Sequence, residues 1–286
     1  MHSIPPIAIL VVVKPKSRPA LVDGIFYPGD KGKLRECVLD LLSRSATPEG
    51  DGFAVVAPHA GYSYAGGVIA SAFRAVARRT PSTVVLLGPV HRDPADGVFL
   101  PESRFFDTPM GQAKVDERDV DALLATGAPF VQSDAPHLEE NCLEVHLPFL
   151  QVLFPEAEIL PLLTGRPTPR TIRALAQGLH LTLRERYPYI LFVVSSNMSS
   201  YLTGRNTEAE SAALRELVCA SDGAGILTAL ERGRISSCGA AGIAALLTMG
   251  GLRLQCRALE EADSRGADGD ADHTVHYAAF SFQRKP

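Results

Sequence analysis

Two histidines and a cysteine are the residues of this sequence whose chemistry best suits a metal ion. His59 and His91 each follow a short apolar run, and Cys238 directly precedes an Ala- and Gly-rich stretch. Two imidazoles and a thiolate form a borderline-soft ligand set that suits Fe(II), Cu or Zn, and three protein ligands leave coordination positions open. The three residues are far apart in the sequence and match no local zinc pattern. A lone histidine after a strand is more often structural, and a lone cysteine more often packs in the core, so the spacing alone is a weak indication.

Other polar residues lie close to the same runs. Asn197 follows a third apolar run, and in an open α/β sheet the turns beyond the carboxyl ends of the strands form the ligand crevice. Tyr62 and Tyr64 flank His59, so one hydroxyl could orient a substrate, although packing is the more common role. His137 lies in a predicted loop, where it would either line the pocket or face solvent.

The elements that must position these residues are strands alternating with helices. A helix is clearest over 169–186, where apolar residues recur on one face, Thr168 is a candidate N-cap and Pro188 follows the end. Polar residues 260–273 predict a surface loop. This alternation predicts a single-domain, three-layer α/β/α fold with a central, largely parallel or mixed sheet. The predicted strands are 53–57, 83–87, 158–163, 189–195 and 275–282, and the other predicted helices are 66–79, 208–220 and 240–249.

The composition excludes several classes of protein. With 46% hydrophobic and 21% charged residues, the 286-residue chain is typical of a globular protein rather than a disordered one. A net charge of −4 without a basic stripe argues against nucleic-acid binding. The apolar run 7–13 is far too short for a membrane helix and instead predicts a strand within an N-terminal extension, residues 1–17. Five irregularly spaced cysteines favour a reducing compartment, so we predict a cytoplasmic protein.

Five ordered motifs over roughly residues 18–282 carry a resemblance to a known family. Together they resemble the MEMO family (AmmeMemoRadiSam system protein B-like), which is related in fold to the class III extradiol dioxygenases. The resemblance implies a metal-binding domain over 18–286, with His59, His91 and Cys238 as ligands and Fe(II) as the most natural metal. The motifs are GIFYPGD at 24–30, PHAGYSYAG at 58–66, GPVH at 88–91, LEVHLPFL at 143–150 and SSCG at 236–239.

The sequence departs from the family pattern next to the implied ligands. Where the family has Ser-Ser-Asp-Phe-Ser-His-Tyr, this chain has Asn197 in place of the acid and Ser200 in place of the histidine, and the family's Glu-His-Ser is Glu-Asn-Cys at 140–142. A serine hydroxyl cannot transfer protons near neutral pH as a histidine does. Catechol ring cleavage is therefore not expected. His146 either replaces the missing base or is the polar residue of an amphipathic helix.

The leading hypothesis is a non-haem Fe(II) oxidoreductase that activates dioxygen on a small-molecule substrate. His146, Asn197 and Ser200 would contact the substrate or oxygen. A non-catalytic metal-binding scaffold is the main alternative. A zinc-type hydrolase, in which the metal lowers the pKa of a bound water, is the third.

Overall fold

The fold is a mixed eight-stranded sheet covered by helices, with a smaller three-stranded sheet beside it. The structure is a computed structural model and describes residues 17–92, 95–199, 207–265 and 274–285. The predicted single-domain α/β/α class is confirmed. In chain order the strands are β1 (Ser17–Arg18), β2 (Ala54–Ala57), β3 (Thr83–Pro89), β4 (Val98–Leu100), β5 (Phe105–Thr108), β6 (Gly111–Lys114), β7 (Phe130–Gln132), β8 (Glu158–Thr164), β9 (Ile190–Ser195), β10 (Leu254–Asp263) and β11 (His276–Arg284).

The large sheet is parallel at its centre and mixed towards its edges. Its strand order is β10-β11-β2-β9-β3-β8-β4-β7, and β1, β5 and β6 form the small sheet. Neighbours within β2-β9-β3-β8 are parallel, whereas β10, β11 and β2 pair antiparallel, as do β8 and β4. β2, β3 and β9 are buried along their whole length. This burial explains why they read as continuous apolar runs, since both faces of a parallel sheet are covered.

The helices pack against the large sheet. α2 packs against β2, β10 and β11, and α8 packs against β3 and β9. At the start of α5, the Thr168 hydroxyl accepts a hydrogen bond from the Thr171 N–H, as predicted for an N-cap. The helices are α1 (Lys31–Arg44), α2 (Tyr62–Arg74), α3 (Glu117–Ala125), α4 (Leu147–Leu153), α5 (Pro169–Leu183), α6 (Thr207–Cys219), α7 (Gly223–Glu231) and α8 (Ala240–Thr248).

Several predicted boundaries differ from those observed. The helix predicted over 66–79 begins earlier, at Tyr62, with Gly61 in the N-cap position, and it ends at Arg74. The loop predicted over 260–273 is wrong for 260–263, which belong to β10; of these, 261–263 pair with the start of β11 beyond a bulge, and 266–273 lie outside the described residues. Exposed strand positions carry polar residues, so this edge strand resembles a loop in sequence. The predicted strand at 7–13 lies outside the described residues.

Within the part of the chain that the structure describes, no helix is long and apolar enough to cross a membrane.

Candidate metal centre

The three predicted ligands converge at the carboxyl ends of the central strands of the large sheet. His59 follows the end of β2, His91 follows the end of β3, and Cys238 precedes α8. One ligand atom from each residue lies within 4.8 Å of the other two, and this is the only such group of three or more His, Cys, Asp or Glu residues found in the described ranges. Nε2 of His59 is 3.4 Å from Sγ of Cys238. The two imidazole rings meet edge to face, with centroids 5.1 Å apart.

Sheet topology explains this convergence. β2 and β3 both pair with β9 and run parallel to it, so the carboxyl ends of all three strands lie side by side. Cys238 reaches these strand ends because the following residue is glycine. A Cβ on Gly239 would lie 2.4 Å from the backbone oxygen of Ser195, at the end of β9. Only a residue without a side chain fits between β9 and the start of α8.

The electrostatics of the centre favour a thiolate. Burial alone would raise the pKa of the Cys238 thiol, but the charge and hydrogen bonds of His59 and His91 lower it to about 5. Burial lowers the pKa of His91, but hydrogen bonds to Cys238 and Glu140 outweigh it and raise that pKa to about 10. A thiolate beside imidazole nitrogens is the donor set that a borderline-soft metal takes, with the metal replacing protons on binding. These residues therefore fit a transition-metal ion.

His59 is held by the end of β9 and the turn after it. Its ring Nδ1 is 2.7 Å from the Ser195 hydroxyl, and its backbone N–H donates to Oδ1 of Asn197 at 3.1 Å. Ser195 pairs with Ala57 in the β2–β9 register, which brings the serine close to the turn that carries His59. Asn197 thus lies beside His59 and supports its backbone, and its predicted contact with a substrate or oxygen stays a prediction.

His91 is held by Glu140. Nδ1 of His91 is 2.7 Å from Oε2 of Glu140, and the backbone N–H of His91 donates to Oε1 of the same carboxylate. Burial would raise the pKa of Glu140, but its hydrogen bonds to His91 lower it overall. Both histidines therefore turn Nδ1 towards the protein, an arrangement common among metal-binding histidines.

His146 lies behind the centre rather than in front of it. It ends a short 3-10 helix, Glu144–His146, and its side chain is completely buried. Its Nε2 is 3.1 Å from the Ser195 hydroxyl. Burial, followed by the nearby charge of His59, lowers the pKa of His146 to about 3, so the ring is neutral. Its predicted catalytic role stays a prediction.

The remaining predicted site residues have varied environments. Tyr62 is buried and donates its hydroxyl to the Val145 carbonyl at 2.8 Å, whereas Tyr64 is exposed. His137 is buried, so the solvent-facing alternative is wrong: its Nε2 is 3.1 Å from the Phe99 carbonyl oxygen, and its Nδ1 has no hydrogen-bond partner among the described residues. Their roles in a substrate pocket stay predictions. Ser200 lies outside the described residues.

Two residues that support the ligands were not predicted from the sequence. Ser195 is the last residue of an apolar run, so the sequence indicates only the end of a strand there. Glu140 is the position of the Glu-Asn-Cys segment that agrees with the family's Glu-His-Ser, and this agreement is the signal that could have found it. A cavity of about 300 Å³ is lined by Val90, Arg92 and Glu140 among others, but by none of the three ligands.

Comparisons with known proteins match almost the whole chain. The family model described as "Memo-like protein" matches residues 18–281. A "MEMO1 family protein" of Thermotoga maritima is 32% identical over 274 residues, covering 92% of this chain and 98% of the relative. One from Desulfurococcus amylolyticus is 30% identical, covering 93% and 99%.

A solved structure is more distant. The crystal structure of an uncharacterized protein from Escherichia coli K12 aligns with a TM-score of 0.43 and 13% identity, covering 79% of this chain and 98% of that one. From the family match and the two relatives at 30% identity or more, the chain belongs to the Memo-like protein family.

Proposed function

We propose that this protein is a metal-dependent oxidoreductase that binds Fe(II) through His59, His91 and Cys238 and acts with dioxygen on a small molecule. The observation that carries the proposal is the convergence of two imidazole nitrogens and a thiolate sulfur within 4.8 Å, from three distant parts of the chain. When bound, iron supplies one-electron chemistry with dioxygen, and three protein ligands leave coordination positions open for reactants.

The chain's own residues would prepare the site for this chemistry. Cys238 is poised as a thiolate, which donates more charge to a metal than a carboxylate does and favours its oxidised states. Ser195 and Glu140 hold the two imidazoles in place.

Proton transfer would not follow the extradiol pattern. Ser200 stands where the family pattern has a histidine, and Asn197 uses Oδ1 to accept the His59 backbone N–H. We propose that Ser200 and the amide group of Asn197 contact the substrate. His146 would act through Ser195, because its ring is fully buried behind that residue.

Oxygen uptake tests the proposal. Protein purified anaerobically and loaded with Fe(II) would be exposed to oxygen with a panel of small phenols, thiols and hydroxy acids. Substrate-dependent oxygen uptake that requires Fe(II) and is lost in Cys238→Ser supports an oxidoreductase. The proposal is contradicted if, with every one of these substrates, the Fe(II)-loaded protein consumes no more oxygen than free Fe(II) does.

The second candidate is a non-catalytic metal-binding protein. It is favoured by one observation: His146 and Asn197 are both engaged in hydrogen bonds that support the ligands. Tight metal binding without oxygen uptake would favour this candidate. A zinc-type hydrolase ranks third, because Glu140, the carboxylate beside the ligands, is committed to His91 and is not placed to act as a base.

A further inference from the structure

The Ser195 hydroxyl is the meeting point of three polar groups in the core. Its oxygen is 2.7 Å from the Cys142 carbonyl oxygen, 2.7 Å from Nδ1 of His59 and 3.1 Å from Nε2 of His146. The side chain is completely buried, as is that of His146. Each contact must therefore contain a hydrogen atom, because close contact between two buried acceptors would be repulsive.

The positions of the protons follow from counting donors. A hydroxyl has one proton to donate, and a carbonyl oxygen can only accept, so Ser195 donates to Cys142. Both imidazole nitrogens must then donate to the lone pairs of the serine oxygen. His59 consequently has its proton on Nδ1, and His146 has its proton on Nε2.

Each assignment has a consequence. On His59, protonated Nδ1 leaves Nε2, the atom nearest Cys238, as the nitrogen that can bind a metal. On neutral His146, Nδ1 is left as a buried acceptor without a partner among the described residues. An unmet buried polar atom is destabilising, because it has lost its hydrogen bonds to water. A leucine at position 146 would leave no buried nitrogen without a partner, so the presence of a histidine calls for an explanation.

We propose that Ser195 and His146 are positioning residues that fix the proton on Nδ1 of His59 and so direct its Nε2 towards the metal. Ser195 accepts the Nδ1 proton. His146, by donating to the same oxygen, holds the hydroxyl in the orientation in which it accepts from His59. The inference rests on the proposed metal centre and adds two residues that do not bind the metal themselves.

Ring-nitrogen NMR of metal-free, ¹⁵N-histidine-labelled protein tests this without any metal. His59→Gln and His146→Gln variants identify the two rings. We expect a proton on Nδ1 of His59, a proton on Nε2 of His146 and none on Nδ1 of His146. Finding the His146 proton on Nδ1, or a bare Nδ1 on His59, would overturn the inference.

Zinc affinity tests the consequence, since Zn²⁺ is diamagnetic and suits this donor set. Mutation of residues that support metal-binding histidines lowers metal affinity by ~10–100-fold. We expect a loss of that size in Ser195→Ala and a smaller one in Ser195→Thr, which keeps the hydroxyl. His146→Leu should also lose affinity, whereas His146→Gln should retain most of it, because its amide N–H replaces Nε2–H.

The outcomes separate this inference from the proposed function. If Ser195→Ala binds zinc as tightly as the wild type, or if folded His146→Gln is as impaired as His146→Leu, the positioning role is rejected. If the wild-type protein binds no metal, the proposed function fails, while the NMR signals still decide where the protons lie.

Discussion

Cys238 is the residue on which the character of the metal centre most depends. Its pKa of about 5 means that the thiolate is already formed at neutral pH. We expect Cys238→Ser to lower metal content sharply while the protein stays folded, because a hydroxyl is a much poorer ligand for soft metals and is nearly the same size. Elemental analysis of purified protein is the measurement. Cys219→Ser, at an exposed cysteine, is the matched control. Equal metal content in Cys238→Ser and the control would remove Cys238 from the centre.

Glu140 is the second residue whose contribution can be isolated. It accepts hydrogen bonds from both the ring and the backbone of His91. We expect Glu140→Gln to weaken zinc binding ~10–100-fold, because the neutral amide is a weaker acceptor for the His91 ring. Calorimetric titration with Zn²⁺ measures this. Glu139→Gln, at the exposed neighbouring residue, should leave the affinity unchanged; an equal loss in both variants would show that the effect is not specific to His91.

At the scale of elements, a single segment supports both histidines. Glu140 holds His91, and the Cys142 carbonyl orients the Ser195 hydroxyl that holds His59. Buried Arg18, in β1, anchors this segment by donating to the Glu140 carbonyl at 2.6 Å and pairing with the Glu144 carboxylate. Removing one partner of a buried ion pair costs ~3–5 kcal/mol. The small sheet is thereby coupled to the geometry of the metal centre.

The contact between α8 and β9 yields a prediction at the same scale. Gly239→Ala places a methyl group 2.4 Å from the backbone oxygen of Ser195, so the start of α8 must shift and move Cys238 away from the histidines. We expect weaker zinc binding together with lower thermal stability. The control is Gly250→Ala, whose methyl group would meet nothing closer than 3.7 Å. Unchanged zinc affinity in Gly239→Ala would contradict the packing argument.

The predictability of each element follows from its burial. The central strands could be predicted because buried parallel strands are continuous apolar runs, as at 83–87. The end of β10 could not, because its exposed positions carry the polar residues of a loop. The three ligands were identified through family motifs. Ser195 and Glu140 are single polar residues whose partners lie tens of residues away, so no local pattern indicates their role.

For the whole molecule, buried His137 makes stability depend on pH. Burial, reinforced by the charge of Arg18, lowers its pKa to about 4 from an ordinary value of 6.5. Between these values the unfolded chain takes up a proton that the folded chain does not. Stability is therefore full above pH 6.5 and falls as the pH decreases, by about 3 kcal/mol from this residue at pH 4.

Urea unfolding of metal-free protein at pH 7 and pH 4.5 measures this effect. His137→Gln keeps an N–H donor for the Phe99 carbonyl but does not titrate, so it should lose less stability on acidification than the wild type does. Identical losses in the two proteins would assign the acid sensitivity to other groups.

The position of β11 has a consequence for the order of events during protein synthesis. This strand follows every other strand in the chain, yet it lies between β10 and β2, the strand that leads to His59. A ribosome-bound chain therefore exposes His59 and His91 well before it has made Cys238 or closed the free edge of β2. An ion captured at that stage would have only two of its three ligands. The complete candidate centre therefore exists only after Cys238 has been made, and β2 gains its second neighbouring strand only at the end of synthesis.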